Sequence, residues 1–132
     1  MDRLKGKAAI ALALLTVICW GCAKGYEVTK LAGEYNVAIT LDKNPPVAGE
    51  NQMAVVVKDS SGRSVTDAKV KVDYSMPAMP GMPAANYSAD VPLQGTEYKT
   101  TINLSMAGAW NIAVNIFRND KTETVNFSVD VR

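Results

Sequence analysis

Lys69-Val70-Lys71-Val72-Asp73-Tyr74-Ser75-Met76 alternates polar and apolar residues without a fault. A period of two belongs to a pleated strand with one dry and one wet face. The alternation recurs on both sides of this stretch. Upstream, the apolar sets are Tyr35, Val37, Ile39, Leu41 and then Met53, Val55, Val57. Downstream they are Tyr98, Ile102, Leu104, Met106, then Trp110, Ile112, Val114, Ile116, and finally Val125, Phe127, Val129, Val131. Turn residues separate the runs: Lys43 to Pro46, Ser60-Ser61-Gly62, Pro92 to Gly95, Ala107-Gly108 and Asn119-Asp120. Six strands follow, or seven with residues 87–91. That number of strands in one domain, with no helical spacing sustained over three turns, predicts an all-β antiparallel sandwich over residues 35–132.

The composition excludes several kinds of chemistry. The chain has 132 residues, 48% apolar, which suits one domain. It contains no His, so Ser-His-Asp and Cys-His catalysis and imidazole metal sites are out of reach. The two cysteines, Cys19 and Cys22, sit near the N-terminus and supply neither a four-cysteine metal site nor a staple for the core. A net charge of +1 offers no basic field for a nucleic-acid backbone. Asp42, Asp59, Asp67, Asp73, Asp90 and Asp130 are scattered over strand ends and wet faces, and no pair is marked for acid–base work. Gly62 and Gly81 are isolated turn residues rather than a phosphate-binding loop. The reading is non-enzymatic.

The N-terminus reads as an export signal. Arg3, Lys5 and Lys7 precede Ala8 to Ile18, an uncharged apolar run of 11 residues. A membrane-spanning helix needs about 20, so the run fits a signal-peptide helix. Gly21 before Cys22 resembles a bacterial lipobox, although Cys19 stands where Leu is usual and Trp20 is bulky for its place. In that reading residues 1–21 are removed and Cys22 is lipidated, which holds the protein to a membrane. Loss of Asp2, Arg3, Lys5 and Lys7 turns the net charge to −1. Residues 22–34 are polar without a strong period and read as a tether. The expected location is the cell envelope, facing the periplasm or exterior.

Ser75-Met76-Pro77-Ala78-Met79-Pro80-Gly81-Met82-Pro83 is the unusual stretch, with Met76, Met79 and Met82 each followed by Pro. Thioethers are soft, neutral ligands that favour Cu(I). In an extended polyproline helix, residues three apart lie about 9 Å from each other, too far to share an ion. A turn must bring them together. Met79-Pro80-Gly81-Met82 fits a type II turn, with Pro second and Gly third, and Met76-Pro77-Ala78-Met79 offers another. Met106 is a candidate fourth ligand. The competing reading is packing or partner contact. Met76 and Met106 continue inward-facing sets and read as gap-filling core residues. Met79 and Met82 then cap an open end or touch a partner, through a loop stiffened by Pro77, Pro80 and Pro83 and bent at Gly81. The candidate metal set is therefore Met76, Met79, Met82 and Met106, with Cu(I) the one cofactor considered. The favoured reading is the interaction loop, because neither His nor a mature thiol stands beside the Met.

Several of these features resemble one family. They are the exported N-terminus, the strand pattern, Ser60-Ser61-Gly62 with Val65 and Asp67-Ala68, and Met76 to Met82. Gly95-Thr96-Glu97-Tyr98 and Met106-Ala107-Gly108-Ala109-Trp110 complete the set. The chain resembles the YtkA-like family, close to FixH-type domains, from Tyr35 to Arg132. The resemblance implies an immunoglobulin-like sandwich of about seven strands in the envelope. It also implies a partner from an efflux or oxidase-assembly system, since some relatives are linked to copper handling or to oxidase assembly. Family loops often carry a His after the Met-Pro run; here Ala84, Ala85 and Asn86 follow. Gly95 and Tyr98 resemble a tyrosine corner, in which the hydroxyl ties down a connection. Trp110 reads as core.

Overall fold

The computed structural model describes residues 25–132. The signal peptide, its helix and the lipidation residue Cys22 lie outside the described residues. Within the described residues nine strands follow in order: β1 (Tyr26–Ala32), β2 (Tyr35–Leu41), β3 (Gly49–Lys58), β4 (Lys69–Met76), β5 (Ala85–Asp90), β6 (Leu93–Gln94), β7 (Glu97–Leu104), β8 (Gly108–Arg118) and β9 (Lys121–Val131). One sheet runs β1-β2-β3-β7-β6 and the other β5-β4-β8-β9, and every pairing is antiparallel. The two sheets form a β-sandwich.

The alternating sets meet between the sheets. Val37, Ile39, Val55, Val57, Val72, Ile102, Leu104, Trp110, Val114 and Ile116 are all fully buried. Removing such side chains from water is the main force holding two unstapled sheets together. Trp110 is fully buried and donates its indole N–H to the Met106 carbonyl at 2.9 Å. Arg118 and Lys121 close the β8–β9 hairpin. Asn119 and Asp120 between them take φ of 52° and 61°, the left-handed pair a type I′ turn requires.

Polar side chains fix the connections. The Tyr98 hydroxyl donates to Val65 O at 2.9 Å and accepts from Ala68 N at 3.2 Å. It pins the β3–β4 connection where the chain passes between sheets. The tie reaches back 30 to 33 residues, much farther than the few-residue span of an antibody-type tyrosine corner. Arg118 donates to Asp67 Oδ1 at 2.8 Å. Hydrogen bonding to Tyr35 and then to Asp67 holds the guanidinium above its ordinary range. Asn51 is buried at an inward β3 position, a polar residue in an apolar register. Its amide donates to Val47 O at 2.8 Å and Gly49 O at 3.1 Å, so the buried group is satisfied and the β2–β3 loop is anchored.

The tether expected over residues 22–34 is corrected in its described part: Tyr26–Ala32 is strand β1, paired along its whole length with β2. Its alternation is inverted at two places. Lys30 pairs with buried Val37 and so lies on the inward side, while Leu31 is 78% exposed. An edge strand permits this because a long side chain can reach past the layer: Lys30 Nζ donates to Asn126 O of β9 at 2.8 Å. Tyr26 stacks on Phe127 with centroids 6.1 Å apart, sealing the same flank.

Candidate functional site: the methionine hairpin

β4 and β5 form a hairpin whose register runs to its tip. Met76 pairs with Ala85, and in the same register Met79 bridges Met82. Pro77 has no N–H to donate, so the ladder is interrupted below the tip. It closes again at the bridge, where Met79 N donates to Met82 O at 2.9 Å and Met82 N to Met79 O at 2.8 Å. Gly81 takes φ of 82°, as the third residue of a type II turn must. The turn expected at Met79-Pro80-Gly81-Met82 therefore forms. The second turn expected at Met76–Met79 does not: Met76 ends β4 and the chain continues extended to the bridge. A Cβ added at Gly81 would meet nothing within 4 Å, so the turn stands in open space.

This geometry decides which thioethers come together. Residues that exchange both backbone hydrogen bonds lie opposite each other with side chains on one side of the ribbon. Met79 and Met82 are such a pair, 42% and 41% exposed. Met76 lies three steps back along the strand, and pleat alternation turns an odd step to the other side. It is 4% exposed and belongs to the core, and its methyl lies 2.8 Å from where a Cβ on Gly108 would be. Met106 packs half-buried against the core at the β7–β8 turn. Of the four candidate ligands, two share the tip, one is inside the sandwich and one serves the turn beside Trp110.

Met106-Ala107-Gly108-Ala109-Trp110 thus acquires a structural account. The Met106 carbonyl receives the Trp110 indole, and Gly108 holds φ of 133° directly over Met76. The motif closes the end of the core on which the methionine hairpin stands.

Residues 77–84 are all exposed, and the stretch from Met76 to Ser88 carries no charge. Pro77, Pro80 and Pro83 stiffen it. Behind the tip, Tyr87 of β5 is 44% exposed and stacks on Tyr74 (5.4 Å) and on Trp110 (6.1 Å). An aromatic shelf therefore runs from the core to the open edge of the hairpin. Nothing in the sequence around Tyr87 marks it for a role beyond its strand. The signal is the Tyr74–Tyr87 pairing, which exists once the hairpin register is known.

Three of the scattered carboxylates, Asp59, Asp67 and Asp73, have structural partners. Asp73 accepts from Ser88 Oγ and, at 2.8 Å, from Asn115 Nδ2. Asp59 accepts from Ser61 and Arg63, which holds its carboxyl below the usual range, the Ser61 hydroxyl contributing most. Asp67 meets Arg118. Among the described residues no group of three or more Asp, Glu, His or Cys could hold a metal ion, so metal chemistry at the hairpin would fall to thioethers.

No curated protein and no solved structure matches the chain. The family model described as YtkA-like matches residues 29–115, from within β1 to within β8 and across the whole methionine hairpin. With more than half of its length so matched, the chain belongs to the YtkA-like family.

Proposed function

We propose that this protein is a non-enzymatic module of the bacterial cell envelope, lipid-anchored through Cys22, which docks an envelope protein through the Met79–Met82 tip. Its finer kinship, in this reading, is to FixH-type domains, and the partner belongs to an efflux or oxidase-assembly system. The observation that carries the proposal is the pair of thioethers held side by side on a closed turn, outside the core and without neighbouring charge. Methionine is flexible and polarizable and adapts to apolar partners. The prolines and the bonded turn pre-order the backbone, so docking loses less conformational entropy.

Photo-crosslinking from Ala78 in membranes tests this. A discrete adduct is expected from Ala78 and not from Thr101, and Met79→Ser with Met82→Ser removes it. Equal diffuse labelling from both positions overturns the reading. The anchor has its own check: Cys22→Ser should abolish fatty-acid labelling and membrane retention, and unchanged labelling refutes it.

A second reading is favoured by the same pairing. Two neutral sulfur donors on one side of a ribbon suit Cu(I) as a cargo ion. Met76, in the core, and Met106, at the turn, do not join them, so Met79 and Met82 would hold the ion together with donors from a partner. Met79→Leu with Met82→Leu separates the readings, because it keeps the apolar tip and removes the sulfur. Docking predicts a retained adduct. Copper binding predicts a lost competition signal in a Cu(I) titration, and equal weak binding by both forms removes it.

A further inference from the structure

The thioethers of the described residues differ in access, with Met106, half-buried at the β7–β8 turn, between two extremes. Met53 and Met76 are 1% and 4% exposed, whereas Met79 and Met82 stand at 42% and 41%. Neither tip residue contributes to the hydrophobic core. The turn that carries them is held by backbone bonds of 2.9 and 2.8 Å, which involve no sulfur. Chemistry at these two sulfurs therefore leaves the scaffold in place.

We propose that Met79 and Met82 form a paired oxidation site, converted to sulfoxides by hydrogen peroxide while the sandwich stays folded. In each conversion a sulfur lone pair attacks a peroxide oxygen. The S–O bond forms as the O–O bond breaks, sulfur loses two electrons, and the peroxide is reduced to water. A thioether carries no proton, so no ionisation gates the step and access decides which sulfur reacts. The product is a polar, chiral group that accepts hydrogen bonds. Because the pair shares one side of the ribbon, two oxidations turn the whole tip from apolar to polar. Methionine sulfoxide reductases reverse the change. The modification stands independently of docking; its consequence, release of the docked partner, rests on the docking reading.

The test exposes the full chain to graded hydrogen peroxide and combines peptide mass mapping with thermal melting. The peptide bearing Met79 and Met82 should gain two oxygen atoms at least about tenfold faster than Met53 or Met76 react. The melting midpoint should be unchanged at that stage, and the buried pair should react only in denaturant. Comparable rates at Met76 and Met79 in the folded chain, or loss of the fold on tip oxidation alone, overturns the proposal. Met79→Leu with Met82→Leu divides the two readings. Peroxide should abolish the Ala78 adduct of the parent and spare that of the Leu variant. A parent that forms no adduct before peroxide defeats docking, while mass mapping still decides the oxidation site.

Discussion

Tyr98 buries its ring and satisfies its hydroxyl at once, joining β7 to Val65 and Ala68 of the connection that changes sheets. Tyr98→Phe leaves a buried carbonyl and a part-buried N–H without their partner, and should lower stability by about 1–3 kcal/mol in urea denaturation. Burial, with the charge of Asp67 adding to it, pushes this hydroxyl above the ordinary tyrosine range. The folded state thus holds the proton more tightly than the unfolded chain. The stabilisation is complete below about pH 10, the ordinary value, and disappears as pH rises through the raised folded value. The gap in stability between the parent and Tyr98→Phe should therefore narrow in strong alkali, and a gap constant with pH would refute the assignment. Gly108 offers a second case. Its φ of 133° suits glycine, and an added Cβ would meet the Met76 methyl at 2.8 Å. The methyl can swing aside but the backbone angle cannot. Gly108→Ala should cost about 1–3 kcal/mol. Combining it with Met76→Ala should not restore the parent's denaturation midpoint.

At the scale of the element, β1 shows what periodicity misses. Its apolar and polar residues are displaced at Lys30 and Leu31, so the segment reads as an unpatterned tether. The strand forms because β2 offers a complete register of partners and β9 offers Tyr26 a ring and Lys30 a carbonyl. Neither partner can be seen from residues 26–32 alone. An inward lysine on an edge strand also discourages pairing with another chain. Lys30→Ile should keep the fold and increase concentration-dependent association in sedimentation velocity; unchanged sedimentation would show that this edge is protected in another way. The methionine hairpin is the reverse case. Its turn was legible in Pro80 and Gly81, because backbone angles are local. The separation of Met76 from Met79 needed the observed register, since a second turn there was equally compatible with the residues.

Across the whole molecule, five of the seven strand pairings join neighbours in the chain, but β3 with β7 and β4 with β8 close long loops, and three connections pass between the sheets. Loops must close before such contacts form, so folding is slow for the size of the chain. Refolding followed by Trp110 fluorescence should take place on about the millisecond-to-second scale. A dominant microsecond phase would contradict the topology. Stapling is not needed: the apolar faces of both sheets are sealed, and the flanks are closed by Tyr26 with Phe127 on one side and by the Tyr74–Tyr87 stack on the other.

Six of the nine strands and nearly all of the core were written in the amino-acid order, with β5 as an optional seventh strand, because a period of two is imposed by the pleat and needs only one buried face. The YtkA-like resemblance was legible for a similar reason, being carried by short contiguous motifs. What only the tertiary structure decided is where residues from different segments meet. β1 became a strand through its neighbours, Asn51 became a core residue through the loop it anchors, and Tyr87 joined an aromatic shelf through its register with Tyr74. The four candidate thioethers were divided by the same cause. Alternation along a strand sends Met76 inward, and a bonded turn sets Met79 beside Met82 in water. Spacing along a chain does not determine side until the register is known.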